Sequence, residues 1–135
     1  MVAAPKYLAR HKAPRTPDEL AAHDVIQFTA LSSTPEWRFS QDGRDDKIAF
    51  KPRYVTNSAD AAIGHAVLGG GLTMALSYQV ADAIRAKQLR ILLAEFEPPP
   101  LPIQIVYPTT RLLSAKVRSF IELITATCMW RFIDL

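Results

Sequence analysis

The apolar pattern between Tyr54 and Leu76 predicts a strand, a helix and a second strand in close succession. Tyr54, Val55 and Thr56 have the aromatic and β-branched character of a strand end. Residues 72–76 form a short apolar run that is long enough for a buried strand. Between them, apolar residues recur at the three- and four-residue spacing of one helix face, at Ala59, Ala62, Ile63, Ala66 and Val67. Two strands joined by one helix over so few residues are expected to be parallel, with a right-handed crossover.

Capping residues and glycines mark the two ends of this helix. Asn57 and Ser58 carry side-chain oxygens that can accept from the free N–H groups of a helix beginning at Ala59. The three glycines at positions 69–71 are expected to end the helix, because glycine accepts the left-handed geometry of a C-terminal cap. Elsewhere, Thr16 and Glu19 predict a helix start with a capping box.

The rest of the chain is predicted to continue this alternation of short strands and helices. Ser77 and Ser114 are expected to cap two later helices. An Asp-Gly pair at 42–43 predicts a hairpin turn, and Pro52 should confine its strand to a sheet edge or to a bulge. Strands are predicted over residues 24–29, 37–39, 47–54, 89–93 and 101–107, and helices over residues 5–10, 17–23, 77–86 and 114–124.

Three segments of this region carry a resemblance to a known family: N-S-A-D-A-A-I from Asn57, A-V-L-G-G-G-L-T from Ala66 and L-S-Y-Q-V-A-D-A-I from Leu76. They resemble the effector-binding domain of LysR-type transcriptional regulators. Residues 4–11, 14–20 and 101–117 fit the same family, so that the resemblance covers residues 5 to 123. The family's winged-helix DNA-binding domain has no counterpart in this chain.

The resemblance implies an α/β fold like that of periplasmic binding proteins. The expected lobe has a mixed, largely parallel sheet flanked by helices. Residues 1–100 would form the second lobe of the effector-binding domain, and residues 101–135 would return to a first lobe that is mostly missing here.

Composition and charge are ordinary for a globular domain of 135 residues. The net charge of +3 comes from dispersed Lys and Arg residues, whereas a nucleic-acid reader shows a basic cluster together with a recognisable motif. The single cysteine, Cys128, suits a reducing compartment and is expected to be packed. Residues 1–5 are too short for a secretory signal and no apolar run reaches membrane-spanning length. The chain is therefore expected to be cytoplasmic, without a membrane partner.

Residues for catalysis or metal binding are not grouped along the sequence. His11, His23 and His65 have no carboxylate or cysteine at metal-ligand spacing, and His65 is expected to be a partly exposed helix residue. The glycines at 69–71 follow a helix instead of preceding one, which is the wrong order for a phosphate cradle. The sequence therefore predicts neither an enzyme nor a cofactor or metal site.

Ligand binding is better supported than catalysis, because two predicted strands end in polar or small residues. Ligands of open parallel sheets gather at the carboxyl ends of strands, and the helix that begins at Ala59 would favour an anion there. A cap is the alternative role of Asn57 and Ser58; the resemblance favours a role in effector binding. The candidate effector-binding residues are Thr29, Ala30, Leu31, Ser32, Asn57, Ser58, Ala59 and Asp60.

Three functions remain open. The first is a sensory module of a LysR-type regulator that binds a small anionic metabolite and does not itself contact nucleic acid. The second is a solute-binding receptor lobe of the same architecture. The third is a fragment that dimerises and binds nothing. A homo-oligomer, expected to be a dimer, is favoured because residues 101–107, the helix from Ser114 and the apolar residues 128–135 would otherwise leave apolar surface in water.

The chain by itself is predicted not to bind duplex DNA in a sequence-specific manner, because its basic residues are dispersed and lack a recognition-helix motif. Fluorescence anisotropy at physiological salt should detect only weak, salt-sensitive association, which any slightly cationic protein shows. Sequence-dependent binding at sub-micromolar concentration would contradict the prediction.

Overall fold

The computed structural model describes residues 1–41, 43–107 and 114–128. They divide into two compact units, Met1–Pro99 and a second that begins at Pro100. The strands of the first unit are β1 (Val2–Ala3), β2 (Val25–Phe28), β3 (Glu36–Gln41), β4 (Arg44–Ala49), β5 (Pro52–Thr56), β6 (Leu72–Thr73) and β7 (Arg90–Ile91). Its helices are α1 (Pro5–Leu8), α2 (Ala59–Val67) and α3 (Ser77–Arg85), with 3₁₀ helices at Pro17–Ala22 and Ala94–Phe96.

Five of these strands form one mixed sheet with the order β5-β2-β6-β1-β7. β2 pairs in parallel with both β5 and β6, whereas β1 pairs antiparallel with both β6 and β7. β5, β2, β6 and β7 therefore run in one direction and β1 runs against them, which confirms the predicted mixed, largely parallel sheet. The two strands joined by α2, β5 and β6, are parallel as predicted but are separated by β2.

Apolar side chains cover both faces of this sheet, and β2 supplies residues to each. Val25 belongs to one core cluster and Ile26 and Phe28 to the other, because successive side chains of a strand point to opposite faces. The first cluster includes Tyr7, Leu20, Trp37, Phe39 and Leu72. The second includes Ala62 and Ala66 of α2 and Val80 of α3. All four residues of β2 are consequently buried.

The hairpin of β3 and β4 forms a separate two-stranded antiparallel sheet. The prediction of one strand over residues 47–54 is wrong, because the chain changes sheet between β4 and β5. Phe50 lies at this change: its side chain is buried, and its N–H donates to the carbonyl of Pro35 at 2.9 Å, the next pair in the register of β3 and β4. Pro35 has no N–H with which to extend the ladder further.

Pro52 begins β5 at the outer edge of the five-stranded sheet. The pairing of β5 with β2 also shifts register between Val25 and Ile26, next to the proline. Proline lacks the N–H donor that an interior ladder needs. The expectation of an edge position or a bulge is therefore confirmed.

Three predicted helix starts have different outcomes. Ser58 caps α2, since its Oγ accepts from the N–H of Ala61 at 3.3 Å. The capping box of Thr16 is wrong, because Glu19 accepts from the N–H of Arg15 at 3.1 Å and the helix is 3₁₀. Ser77 is the first residue of α3, not its cap.

Two predicted strands are shorter in the structure. The strand expected over residues 72–76 is β6 and ends at Thr73. The strand expected over residues 89–93 is β7, of only two residues, and Leu93 turns the chain with a φ of 54°. In both segments the apolar run continues past the paired residues, because the additional side chains fill the core. The length of the apolar run therefore overestimates the length of the strand.

In the second unit, α4 spans Ala115–Thr127 and the Ser114 Oγ accepts from the N–H of Val117 at 3.4 Å, as predicted. The strand predicted over residues 101–107 is wrong: these residues are exposed and form no strand. A strand needs a neighbour for its N–H and C=O groups, and the described part of this unit offers only a helix. Cys128, expected to be packed, is exposed, and residues 129–135 of the predicted apolar end lie outside the described residues.

Gly71 leads into β6 with a φ of +146°, and a Cβ there would collide with the backbone carbonyl of Asp24. Gly71→Ala should lower the free energy of unfolding by about 2–4 kcal/mol, from strain and overpacking together. Gly64→Ala is the matched control, because a Cβ at this position of α2 meets nothing within 4 Å. It should raise the free energy of unfolding by about 0.5–1 kcal/mol. Urea denaturation measures the free energy of unfolding of both variants. Equal changes in the two variants would contradict the collision expected at Gly71.

Candidate effector-binding site

The carboxyl ends of β2 and β5 bring the two candidate segments side by side. Phe28 and Thr56, the last residues of the two strands, are partners in the parallel ladder. Immediately beyond them, the N–H of Thr29 donates to the carbonyl of Thr56 at 2.9 Å, and the Thr29 hydroxyl lies 3.3 Å from the same oxygen. The segments that begin at Thr29 and at Asn57 therefore leave neighbouring strands at one edge of the sheet.

The first segment is a tight turn held by β2. The N–H groups of Leu31 and Ser32 donate to the carbonyl of Phe28 at 3.2 and 3.3 Å. The Ser32 hydroxyl lies 2.6 Å from the carbonyl of Thr34. Ala30 is exposed and Leu31 half-buried, so the outer surface of this turn is small and apolar.

Gln27 supports this turn from inside the protein, and the sequence analysis missed it. Its side chain is only 4% exposed, and its Nε2 donates to the carbonyl of Ser32 at 3.0 Å. A buried side-chain amide needs such a partner. The signal was present in the sequence: Gln27 is the one polar residue in the otherwise apolar Val25–Phe28 strand.

The second segment is organised by Thr56 and Ser58. The Thr56 Oγ1 accepts from the N–H of Ser58 at 3.1 Å, and the carbonyl of Ser58 accepts the N–H of Ala62 at 3.1 Å. The capping role of Ser58 is therefore real, whereas Asn57 is exposed and stands outside the helix. The first-turn N–H groups of Ala59 and Asp60 have no preceding carbonyl within the helix to bond.

Two opposing charges act at this edge. The amino-terminal end of α2 carries a partial positive charge that favours an anion. Asp60, exposed in the first turn of the same helix, places a full negative charge nearby. An anion held here would therefore have to approach the N–H groups at a distance from the Asp60 carboxylate.

The arrangement suits binding better than bond-making chemistry. The candidate residues offer hydroxyls, an amide and backbone N–H groups, with Asp60 as their titratable side chain. Within the described ranges, no cluster of three or more His, Cys, Asp or Glu side chains is placed to hold a metal ion. No helix among the described residues is both long and apolar enough to span a membrane.

A shallow, open depression of about 510 Å³ lies elsewhere, beside β7 at the opposite edge of the sheet from β5. Its lining is apolar apart from Lys87 and Arg90, and it contains none of the eight candidate residues. Small ligands usually occupy enclosed clefts with a few convergent polar groups. The depression lacks that character, so the polar edge at Thr29 and Ser58 remains the better candidate.

A lobe built on a largely parallel sheet, with polar loops at the carboxyl ends of β2 and β5, fits the class of periplasmic-binding-protein-like domains. Within that class, the sequence model of the LysR substrate binding domain matches residues 1–129. The chain belongs to this family, and the resemblance found in the sequence is confirmed.

Relatives with curated descriptions agree with this assignment. The chain is 26% identical over 123 residues to the HTH-type transcriptional regulator YcaN of Escherichia coli K12, covering 90% of this chain and 40% of the relative. It is 31% identical over 121 residues to the HTH-type transcriptional regulator PtxR of Pseudomonas aeruginosa, covering 90% and 39%. The chain thus spans about 40% of the length of these relatives. Both are described as transcriptional regulators, which agrees with the prediction that this chain is not an enzyme.

Solved structures show the same fold. The regulatory domain of AphB from Vibrio vulnificus superposes with a TM-score of 0.77 at 23% identity, covering 93% of this chain and 62% of that one. The CrgA regulatory domain from Neisseria meningitidis superposes with a TM-score of 0.74 at 26% identity and the same two coverages. The predicted fold class is therefore confirmed.

Replacing Gln27 with Met should loosen the turn after β2. Methionine fills the buried space but cannot donate to the carbonyl of Ser32, so the free energy of unfolding should fall by about 1 kcal/mol. Amide hydrogen exchange at Leu31 and Ser32 should quicken. Gln41→Met is the control, because Gln41 is exposed in β3. Unchanged exchange at Leu31 and Ser32 in Gln27→Met would contradict the supporting role.

Proposed function

We propose that this chain is the small-molecule sensing module of a LysR-type transcriptional regulator. The family assignment supports a regulatory role. The adjacency of the segments that begin at Thr29 and Asn57 carries the proposal of a binding edge, since the Thr29 N–H and the Thr56 carbonyl are bonded at 2.9 Å. Residues 1–100 act as the second lobe of the effector-binding domain and residues 101–135 return to the first.

The effector is a small anionic metabolite, and its charged group binds at the start of α2. The first-turn N–H groups and the Ser58 hydroxyl donate to it, as helix amino-termini do to carboxylates and phosphates. The Thr29 hydroxyl and the turn through Ala30, Leu31 and Ser32 form the adjoining wall. Gln27 keeps that wall in place through its bond to Ser32.

Transcriptional control passes through a DNA-binding domain of the helix-turn-helix type that the relatives' names record. The protein is cytoplasmic and works as a homo-oligomer, with a dimer as the smallest assembly. Exposed apolar side chains in the second unit support the oligomer: Val106 is 88% and Phe120 58% exposed, and apolar surface of this kind marks interaction sites.

Ser58→Glu tests the binding edge by placing a negative charge at the cap of α2. Affinity for an anionic ligand should fall about tenfold or more, equivalent to roughly 1–2 kcal/mol, with little change in unfolding free energy because a carboxylate can also cap. Asp60→Asn should raise the affinity for an anionic ligand, because it removes a negative charge. Thermal shift and calorimetry with acetate, succinate and benzoate, each compared with its uncharged amide, provide the measurement.

Ser114→Glu is the matched control, because it makes the same substitution at the cap of another helix, α4. It should leave ligand affinity unchanged. If Ser58→Glu binds as the wild-type chain does, the site lies elsewhere. Binding of the amides as tightly as the acids would contradict an anionic effector.

A further inference from the structure

A cluster of titratable side chains surrounds the Tyr7 hydroxyl at the start of β2, at the opposite end of that strand from the candidate binding edge. Tyr7 comes from α1 and is only 1% exposed. Its hydroxyl oxygen accepts from the backbone N–H of Asp24 at 3.0 Å and lies 3.1 Å from the Nδ1 of His23. The hydroxyl thus connects α1 with the two residues that lead into β2.

The geometry of these bonds suits a neutral His23. The Asp24 N–H donates to the Tyr7 oxygen, and the Tyr7 hydroxyl can donate its own hydrogen to an unprotonated Nδ1 of His23. Nδ1 can accept only when it carries no proton; an imidazolium has a hydrogen on both ring nitrogens. Protonation would therefore leave the buried Tyr7 hydroxyl without its acceptor.

The surrounding charges are contributed by four elements. Arg10 and His11 follow α1. The His11 ring stacks on Tyr7 with centroids 4.4 Å apart, and its centroid lies 6.4 Å from that of the His23 ring. The first 3₁₀ helix contributes Glu19, β2 is preceded by Asp24, and β5 contributes Arg53.

Burial is the largest influence on the protonation of His23. The Asp24 carboxylate is already engaged by Arg53, whose guanidinium nitrogen lies 2.9 Å from its Oδ1. Burial lowers the pKa of His23, and the nearby His11 lowers it further, while Glu19 and Asp24 act in the other direction. A proton on His23 is therefore disfavoured in the folded chain.

Asp24 connects this cluster to the sheet. Its backbone carbonyl accepts from the N–H of Leu72 in β6 at 2.9 Å, and its carboxylate is paired with Arg53 in β5. Together with the bond to Tyr7, these contacts tie α1, β5 and β6 to the residue that precedes β2.

We propose that His23 is a proton-sensitive switch. When neutral, it accepts a hydrogen bond from the Tyr7 hydroxyl, and this bond holds α1 against the start of β2. When protonated, it can no longer accept this bond, and the contact between α1 and β2 weakens. The candidate binding edge is not involved in this step. The pKa of His23 is lowered from its ordinary value of 6.5 in the folded chain. The stabilisation is accordingly complete above about pH 6.5 and is lost as the pH falls towards the folded-state pKa.

Amide hydrogen exchange of the full chain between pH 7.5 and pH 5 tests the switch, with protection factors corrected for intrinsic rates. Protection of the Asp24 amide should fall by up to about tenfold per pH unit below about pH 6.5. His23→Gln should remove this pH dependence, because a glutamine oxygen can accept from Tyr7 without titrating. His11→Gln should retain it and move it to higher pH, since one repelling neighbour is gone.

An NMR titration of the histidine ring protons gives an independent measurement that uses a conservative variant. In the wild-type chain, His23 should titrate below pH 6.5; in Tyr7→Phe its pKa should rise, because Nδ1 no longer has a donor that competes with protonation. A His23 that titrates at or above 6.5 in the wild-type chain would overturn the proposal. Loss of Asp24 protection that persists unchanged in His23→Gln would do so as well.

Discussion

The parallel pairing of β2 with β5 on one side and β6 on the other organises the whole sheet of the first unit. β2 has only four residues, all buried, and supplies apolar side chains to both core clusters. Because both of its edges are paired, the strands on either side are held parallel and their loops emerge together. Gly71 allows the close approach of β6 that this pairing needs, since any Cβ there would meet the carbonyl of Asp24.

The two ends of β2 have different chemistry. At its carboxyl end, hydroxyls, backbone N–H groups and the amino-terminal end of α2 lie at the surface, with buried Gln27 holding the turn through Ser32. At its amino end, Tyr7, His23 and Asp24 form a partly buried hydrogen-bonded network joined to Arg53. One short strand thus has a candidate ligand-binding edge at one end and a titratable cluster at the other.

Local signals in the sequence were sufficient for α2 and its surroundings. Ser58, the apolar face of the helix and the glycine at its end each act within a few residues, so that a single segment contains the information. Pro52 likewise indicated an edge strand through its missing N–H. Predictions that needed a distant partner were less successful: residues 101–107 are apolar enough for a strand but have no pairing partner among the described residues, and the chain changes sheet between β4 and β5.

The family, the α/β class and the two segments of candidate residues could be predicted from the amino-acid sequence, because these rest on short-range patterns and ordered motifs. Three features became visible only in the folded chain: β2 lies between β5 and β6, Gln27 supports the turn, and Tyr7 and His23, sixteen residues apart, share a hydrogen bond. The physical reason is that strand order and buried polar contacts depend on which distant segments meet. These contacts between distant segments depend on the packing of the whole core, so a short stretch of sequence cannot predict them.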